Sequence, residues 1–265
     1  MRFPTKICLV LLLTAFAFGP QPATAAPKGF KEGRNSAVSP VWKSGELTFA
    51  LKRGDCQSHP YGDGRGESDC KNGNSRSQVN ARKEVRMGRA YEYAMDIWVA
   101  PGFRYNGRGW GTVNHRSRLW IAEWQRSGTI KNHMYEMYLD SRQGATFEDK
   151  VCFSPKDFGK WNRFVMQVKW SDGADGVLQV RCNGKVIYSR TGPNAIPPDC
   201  GKPWKLQCKT ELQDLRKPIL WSVGPSLKGH GMTYANFGFP SPFPPFPEAG
   251  LTMKVRNLYL GRIRK

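Results

Sequence analysis

The sequence predicts an all-β domain, a sandwich or jelly roll with long disulfide-pinned loops, on three observations. No stretch sustains a helical period of apolar residues. Short runs rich in aromatic and β-branched residues alternate with Gly, Pro, Asn and Asp turns. The 28 glycines and 19 prolines among 265 residues mark a turn-rich chain rather than a helix bundle. Hydrophobic residues at 39% and aromatics at 12% are enough to build a core, which excludes a disordered basic tail.

The chain opens with Arg2 and Lys6, an apolar run from Ile7 to Phe18 and the small-x-small stretch Ala23-Thr24-Ala25. This is the pattern of a secretory signal peptide over residues 1–25, too short to span a bilayer. Cys8 precedes the leucine run instead of marking the cleavage point, so no lipid anchor is expected. Residues 26–45 read as an N-terminal extension and 46–265 as the β domain. A secreted or periplasmic monomer without a stable membrane anchor is expected.

Ten strands follow in order, each an aromatic and β-branched run between turn residues. They are Glu46–Lys52, Val79–Met87, Tyr91–Val99, Leu119–Gln125 and Met134–Leu139, then Trp161–Trp170, Val177–Cys182, Lys185–Ser189, Ile219–Val223 and Met253–Leu260. The Ser171–Gly176 turn (SDGADG) joins two of them, and Asn183-Gly184 closes a two-residue hairpin. Gly54–Ser77 and Gly192–Pro218 read as long loops, and the proline-rich Phe237–Pro247 as an extended surface flap.

Six cysteines follow the signal: Cys56, Cys70, Cys152, Cys182, Cys200 and Cys208. An even count in an exported chain argues for disulfides. Short loops favour Cys56–Cys70 and Cys200–Cys208, leaving Cys152–Cys182 to staple two strands. With no Cys-x-x-Cys pair and scattered histidines (His59, His115, His133, His230), zinc is not indicated. No cofactor is expected, and structural calcium is left open.

The formal charge is +20, and +18 without the first 25 residues, which predicts an anionic partner. Nucleic acid is not favoured, because the basic residues lie along strands of an exported protein with no nucleic-acid motif. Phosphate loops, nucleophile elbows and His-Glu-x-x-His are absent from the sequence.

Strand alternation groups the candidate site residues. Asn80, Arg82, Glu84 and Arg86 share one face of their strand, where an arginine fork oriented by glutamate suits a carboxylate or sulfate. Glu123 and Gln125 share a face of the next candidate strand, and Glu136, Tyr138 and Asp140 a face of another. Glu123 with Glu136 or Asp140 would also suit the paired-carboxylate chemistry of a glycoside hydrolase.

The order of several segments resembles the heparin lyase I-like polysaccharide lyases. Glu46–Cys56 (ELTFALKRGDC) is similar to their opening strand and Arg-Gly-Asp. Ser75-Arg76-Ser77-Gln78 through Arg82-Lys83-Glu84 resembles their Arg-and-Glu strand, and Tyr91–Pro101 the strand after it. Ile121-Ala122-Glu123-Trp124-Gln125 takes the place of their Ile-x-Gln-Trp-His strand, Trp161–Trp170 that of their Trp-led strand, and Val255–Gly261 the closing one. The resemblance implies a concanavalin A-like jelly roll whose basic groove binds a uronate-containing polysaccharide. It also implies β-elimination: a cationic or amide group neutralises the uronate carboxylate, and a His or Tyr removes the C5 proton. Arg82 is the residue carried over for neutralisation, with Arg86 beside it. Glu123 and Gln125 stand where the family has Gln and His, and no tyrosine occupies Val223–Ser226. Tyr138, Tyr234, His115, His133 and His230 are the replacements on offer. A binding module without turnover is the alternative.

Overall fold

The structure, a computed structural model, describes residues 26–60, 68–105, 119–126, 133–195, 218–227 and 249–263. In chain order these form β1 (Phe30–Glu32), β2 (Val41–Lys43), β3 (Glu46–Leu51), the short helix α1 (Asp69–Asn72), β4 (Ser75–Arg76) and β5 (Val79–Ala81). Next come β6 (Ala90–Val99), β7 (Leu119–Arg126), β8 (His133–Asp140), β9 (Gly144–Phe147) and β10 (Lys150–Phe153). The last five are β11 (Asn162–Lys169), β12 (Val177–Cys182), β13 (Lys185–Thr191), β14 (Ile219–Leu227) and β15 (Leu251–Arg262).

Two antiparallel sheets face each other as a jelly-roll sandwich. The eight-stranded sheet runs β1-β5-β14-β7-β8-β9-β10, with β4 also on β14; the seven-stranded sheet runs β13-β12-β11-β6-β15-β3-β2. Alternation builds the space between them. On β11, Asn162, Phe164, Met166 and Val168 are buried while Arg163, Val165, Gln167 and Lys169 are partly exposed. Such a period of two is what a half-buried strand requires.

Aromatic rings fill the centre. Trp124 of β7 stacks on Trp221 of β14 at 6.1 Å between centroids, and Tyr93 of β6 meets them edge-on at 5.8 and 5.2 Å. Truncating a buried ring of this size costs about 3–5 kcal/mol. The Tyr93 hydroxyl keeps a partner in the core, accepting from Trp170 Nε1 at 3.1 Å, and burial holds its phenol neutral far above the ordinary tyrosine range.

The expected pairs Cys56–Cys70 and Cys152–Cys182 are both formed, with Cα–Cα distances of 5.0 and 5.2 Å. The second joins β10, the edge of one sheet, to β12 in the other. Cys200 and Cys208 lie outside the described residues, as does the Phe237–Pro247 flap. Asn183 and Gly184 take φ of 49° and 81°, the two left-handed residues of the expected hairpin turn.

One expectation is corrected. The strand read as Val79–Met87 ends at Ala81, and only Val85 makes an isolated bridge beyond it, to Ile219. Its ladder partners run out there: β1 has three residues, and the Arg82 N–H turns to Gly29 O at 2.8 Å. The segment read as an extension contributes β1 and β2, an edge strand of each sheet. The Gly54–Ser77 loop also carries α1 and β4.

Candidate active site

Trp124 and Trp221 point into the core, so their neighbours Glu123 and Ser222 lie on the opposite face of the eight-stranded sheet. Register then assembles two polar rows there, because directly paired residues share a face. One row is Lys31, Asn80, Ser222, Glu123 and Glu136, across β1, β5, β14, β7 and β8. The other is Arg76, Ser226, Trp120, Tyr138 and Thr146, across β4, β14, β7, β8 and β9. Irregularities between Val223 and Ser226 and between Trp120 and Ala122 keep the rows aligned. The first depends on Gly224: at φ 125°, a Cβ there would fall 2.2 Å from Ser77 O.

Burial divides this face, with Arg76, Asn80, Glu136 and Ser222 partly exposed and Lys31 exposed. Glu123 is 1% exposed, and Trp120, Tyr138, Thr146 and Ser226 are also buried. An unpartnered carboxylate so placed would cost several kcal/mol. Instead Gln78 Nε2 donates to Glu123 Oε1 at 3.1 Å, and Gln125 Nε2 donates to Oε2. Glu136, directly across from Glu123, accepts from the Tyr138 hydroxyl. Like charges facing across strands destabilise a sheet, and these donors offset that repulsion. The Trp120 ring lies 5.9 Å from that of Tyr138.

Arg76 is held from below. Its Nη2 donates to Asp69 Oδ1 at 2.7 Å, with side-chain exposures of 19% for Arg76 and 0% for Asp69. Asn74 Nδ2 also donates to Asp69 Oδ1, at 3.1 Å, and Ser68 Oγ caps α1 by accepting from Lys71 N at 3.3 Å. The Cys56–Cys70 bridge fixes the residue next to Asp69. A buried acid thus aims a partly exposed guanidinium. Among the described residues, neither Arg76 Nε nor the Ser226 hydroxyl in register with it has a partner.

The residues singled out from sequence divide accordingly. Asn80, Glu123, Gln125, Glu136 and Tyr138 lie on the polar face. Arg82 sits past the end of β5, where its Nε donates to Phe30 O at 2.8 Å. Glu84 and Arg86 form a 3.9 Å pair with exposures of 61% and 74%, of the solvated kind that contributes about 0–1 kcal/mol. They are therefore not gathered with Asn80. Asp140 Oδ1 accepts from the N–H groups of Arg142 and Gln143 at 2.7 and 3.1 Å, closing the turn from β8 to β9. Gln125 carries an amide, which is no general base, and its register partner is His133. His115, His230 and Tyr234 lie outside the described residues.

Sequence reasoning had not assigned Gln78, Asp69, Ser222, Ser226 or Trp120, and it met Arg76 only as part of a resembling segment. The signal was present in Ser75-Arg76-Ser77-Gln78, just before the run whose alternation was read. Among the described residues no group of His, Cys, Asp or Glu is gathered to hold a metal, and no helix is long and apolar enough to cross a membrane.

The endo-β-1,4-glucuronan lyase of the fungus Trichoderma reesei superposes with a TM-score of 0.51 at 10% identity, over 89% of this chain and 88% of that one. Alginate lyase A1-II', of polysaccharide lyase family 7, gives 0.46 at 11% identity over 89% and 84%. Alginate lyase Aly36B gives 0.44 at 12% identity over 85% and 84%. No curated protein matches in sequence. The sequence model of the polysaccharide lyases, however, matches residues 27–200, well over half the chain and including most of both polar rows. The chain belongs to the polysaccharide lyase family.

Proposed function

We propose that this protein is a secreted, heparin lyase I-like polysaccharide lyase. It binds a uronate-containing polysaccharide along the polar face of the eight-stranded sheet and cleaves it by β-elimination. The observation that carries the reading is the row Arg76–Ser226–Trp120–Tyr138. It sets a guanidinium oriented by a buried acid on the same face as a tyrosine hydroxyl bonded to a carboxylate. Three strand spacings separate Arg76 from Tyr138, about 14 Å at Cα.

In this reading Arg76, rather than Arg82, neutralises the uronate carboxylate, which makes the C5 proton removable. Tyr138 accepts that proton as its own passes to Glu136. The C5–H electron pair forms the C4–C5 double bond, the C4–O bond breaks, and the tyrosine hydroxyl gives its proton to the leaving oxygen while Glu136 returns the one it took to the tyrosine. The Trp120 ring supplies an apolar wall for a sugar face. The mature charge of +18 favours encounter with a polyanion.

The test is incubation with polyglucuronate, alginate and heparin while ultraviolet absorbance is followed. Elimination creates a conjugated uronide, so absorbance rises. No rise and no binding to any of them overturns the reading. A second reading, a binding module without turnover, is favoured by the engagement of Glu123 with two glutamine amides. Salt-sensitive binding with neither absorbance nor new reducing ends identifies it. New reducing ends without absorbance identify hydrolysis by Glu123 and Glu136.

A further inference from the structure

We infer that Glu123 is a positioning residue, an internal acceptor that fixes the Gln78 and Gln125 amides, and that the segment 33–38 sets the reach of Gln78. Its consequence for the ligand rests on the acidic-polysaccharide reading above; the arrangement itself does not.

A carboxylate only accepts hydrogen bonds, whereas a glutamine amide has one end that donates and one that accepts. An amide alone on a sheet can present either end. Here each oxygen of Glu123 takes one glutamine NH2 group, so both amides are turned with their nitrogens toward the anion and their carbonyl oxygens away. With Glu123 1% and Gln78 7% exposed, a ligand meets the partly exposed Gln125 side chain, oriented from beneath, instead of a repelling negative charge. A basic lyase-family protein can therefore carry an acid in the middle of its polar row.

Gln78 is placed for this by backbone contacts that the sheet does not supply. It falls in the gap between β4 and β5, off both ladders, where backbone groups need other partners. Gln78 N–H donates to Ser36 Oγ at 3.0 Å, and Gln78 O accepts from Ser36 Oγ at 3.1 Å and Gly33 N at 2.8 Å. A Cβ on Gly33 would lie 3.1 Å from that same carbonyl, a tight contact to which the neighbouring backbone would have to yield. Ala37 N donates to Arg76 O at 2.7 Å and Ser77 Oγ to Val38 O at 2.8 Å, so the strap holds Arg76 and Gln78 together.

The test combines Glu123→Gln, Gln78→Glu and the double swap, read by side-chain amide NMR signals and by calorimetric titration with a glucuronate oligosaccharide. In Glu123→Gln the NH2 signals of Gln78 and Gln125 both move, and affinity falls about tenfold, the worth of a charge-assisted hydrogen bond. Gln78→Glu sets two buried carboxylates against each other and loses binding about a hundredfold. The swap restores one acid facing one amide and recovers most of that loss. An unmoved Gln78 or Gln125 signal in Glu123→Gln, or a swap no better than Gln78→Glu, overturns the inference. If Gln78→Glu does not fold, a folded swap supports the inference and an unfolded one refutes it. A wild-type protein that binds no uronate oligosaccharide removes the functional reading alone, and the amide signals and the swap still decide the role of Glu123.

Discussion

Removing the charge of Asp69 should be felt at the polar face although Asp69 itself is wholly buried. Asp69→Asn leaves the Arg76 guanidinium without its anion. Breaking a fully buried ion pair from one side costs about 3–5 kcal/mol. Arg76 retains 19% exposure, which gives water some access, so a loss of about 2–3 kcal/mol is expected. For a domain of this size that is a fall in melting temperature of about 4–12 °C. Arg76→Met removes the same ion pair from the other side, and the double variant should lose less than the two singles combined, with a coupling of about 2 kcal/mol. Urea denaturation of the four proteins supplies the numbers. A coupling below about 0.5 kcal/mol, the value of a solvated surface pair, would refute the claim that Asp69 holds Arg76. Separately, Arg76→Lys keeps the charge but loses the planar fork. It should weaken binding of a glucuronate oligosaccharide at least tenfold; unchanged affinity would remove Arg76 from the site.

Two further outcomes follow from the scaffold. Cys152→Ser opens a bridge spanning 30 residues, and loop-closure entropy puts the loss at about 3–4 kcal/mol, checked by denaturation of reduced and oxidised protein. Burial raises the phenols of Tyr93, Tyr105 and Tyr135 far above their ordinary 10.0. Above that pH the unfolded chain releases protons that the folded one keeps, so stability falls as pH rises, by about 1.4 kcal/mol per pH unit for each phenol. Stability should be insensitive to these groups below pH 10; Tyr93→Phe should flatten the alkaline decline, and an unchanged slope would contradict the burial.

The strands legible in the sequence were those long enough to show alternation, such as Trp161–Trp170 and Tyr91–Val99. The Asn183-Gly184 hairpin was equally plain, because its two left-handed residues are the types that tolerate that conformation. The β9–β10 hairpin turns instead on Glu148 and Asp149 at φ 45° and 64°, and two acids carry no such signal. Val79–Met87 kept its pattern past Ala81, yet a strand lasts only as long as its neighbours, and those come from residues 30–32 and 219–223. The site divides in the same way. Alternation placed Glu123, Gln125, Glu136 and Tyr138 on common faces, since that is local geometry. The meeting of Gln78 with Glu123, 45 residues apart, and the burial of Asp69 under Arg76 depend on pairings between distant segments.

The place of β15 bears on how the molecule comes into being. It lies between β3 and β6, pairing residues 251–262 with 46–51 on one side and 91–99 on the other. During vectorial emergence from the ribosome, β2 and β3 form only a two-stranded ribbon, itself marginal in water, while β6 has β11 alone for company. The seven-stranded sheet closes when residues 251–262 insert between residues 46–51 and 91–99. Such high sequence separation slows folding and leaves unpaired strand edges exposed meanwhile. Slow closure of this kind makes β15 the strand on which completion of the seven-stranded sheet waits.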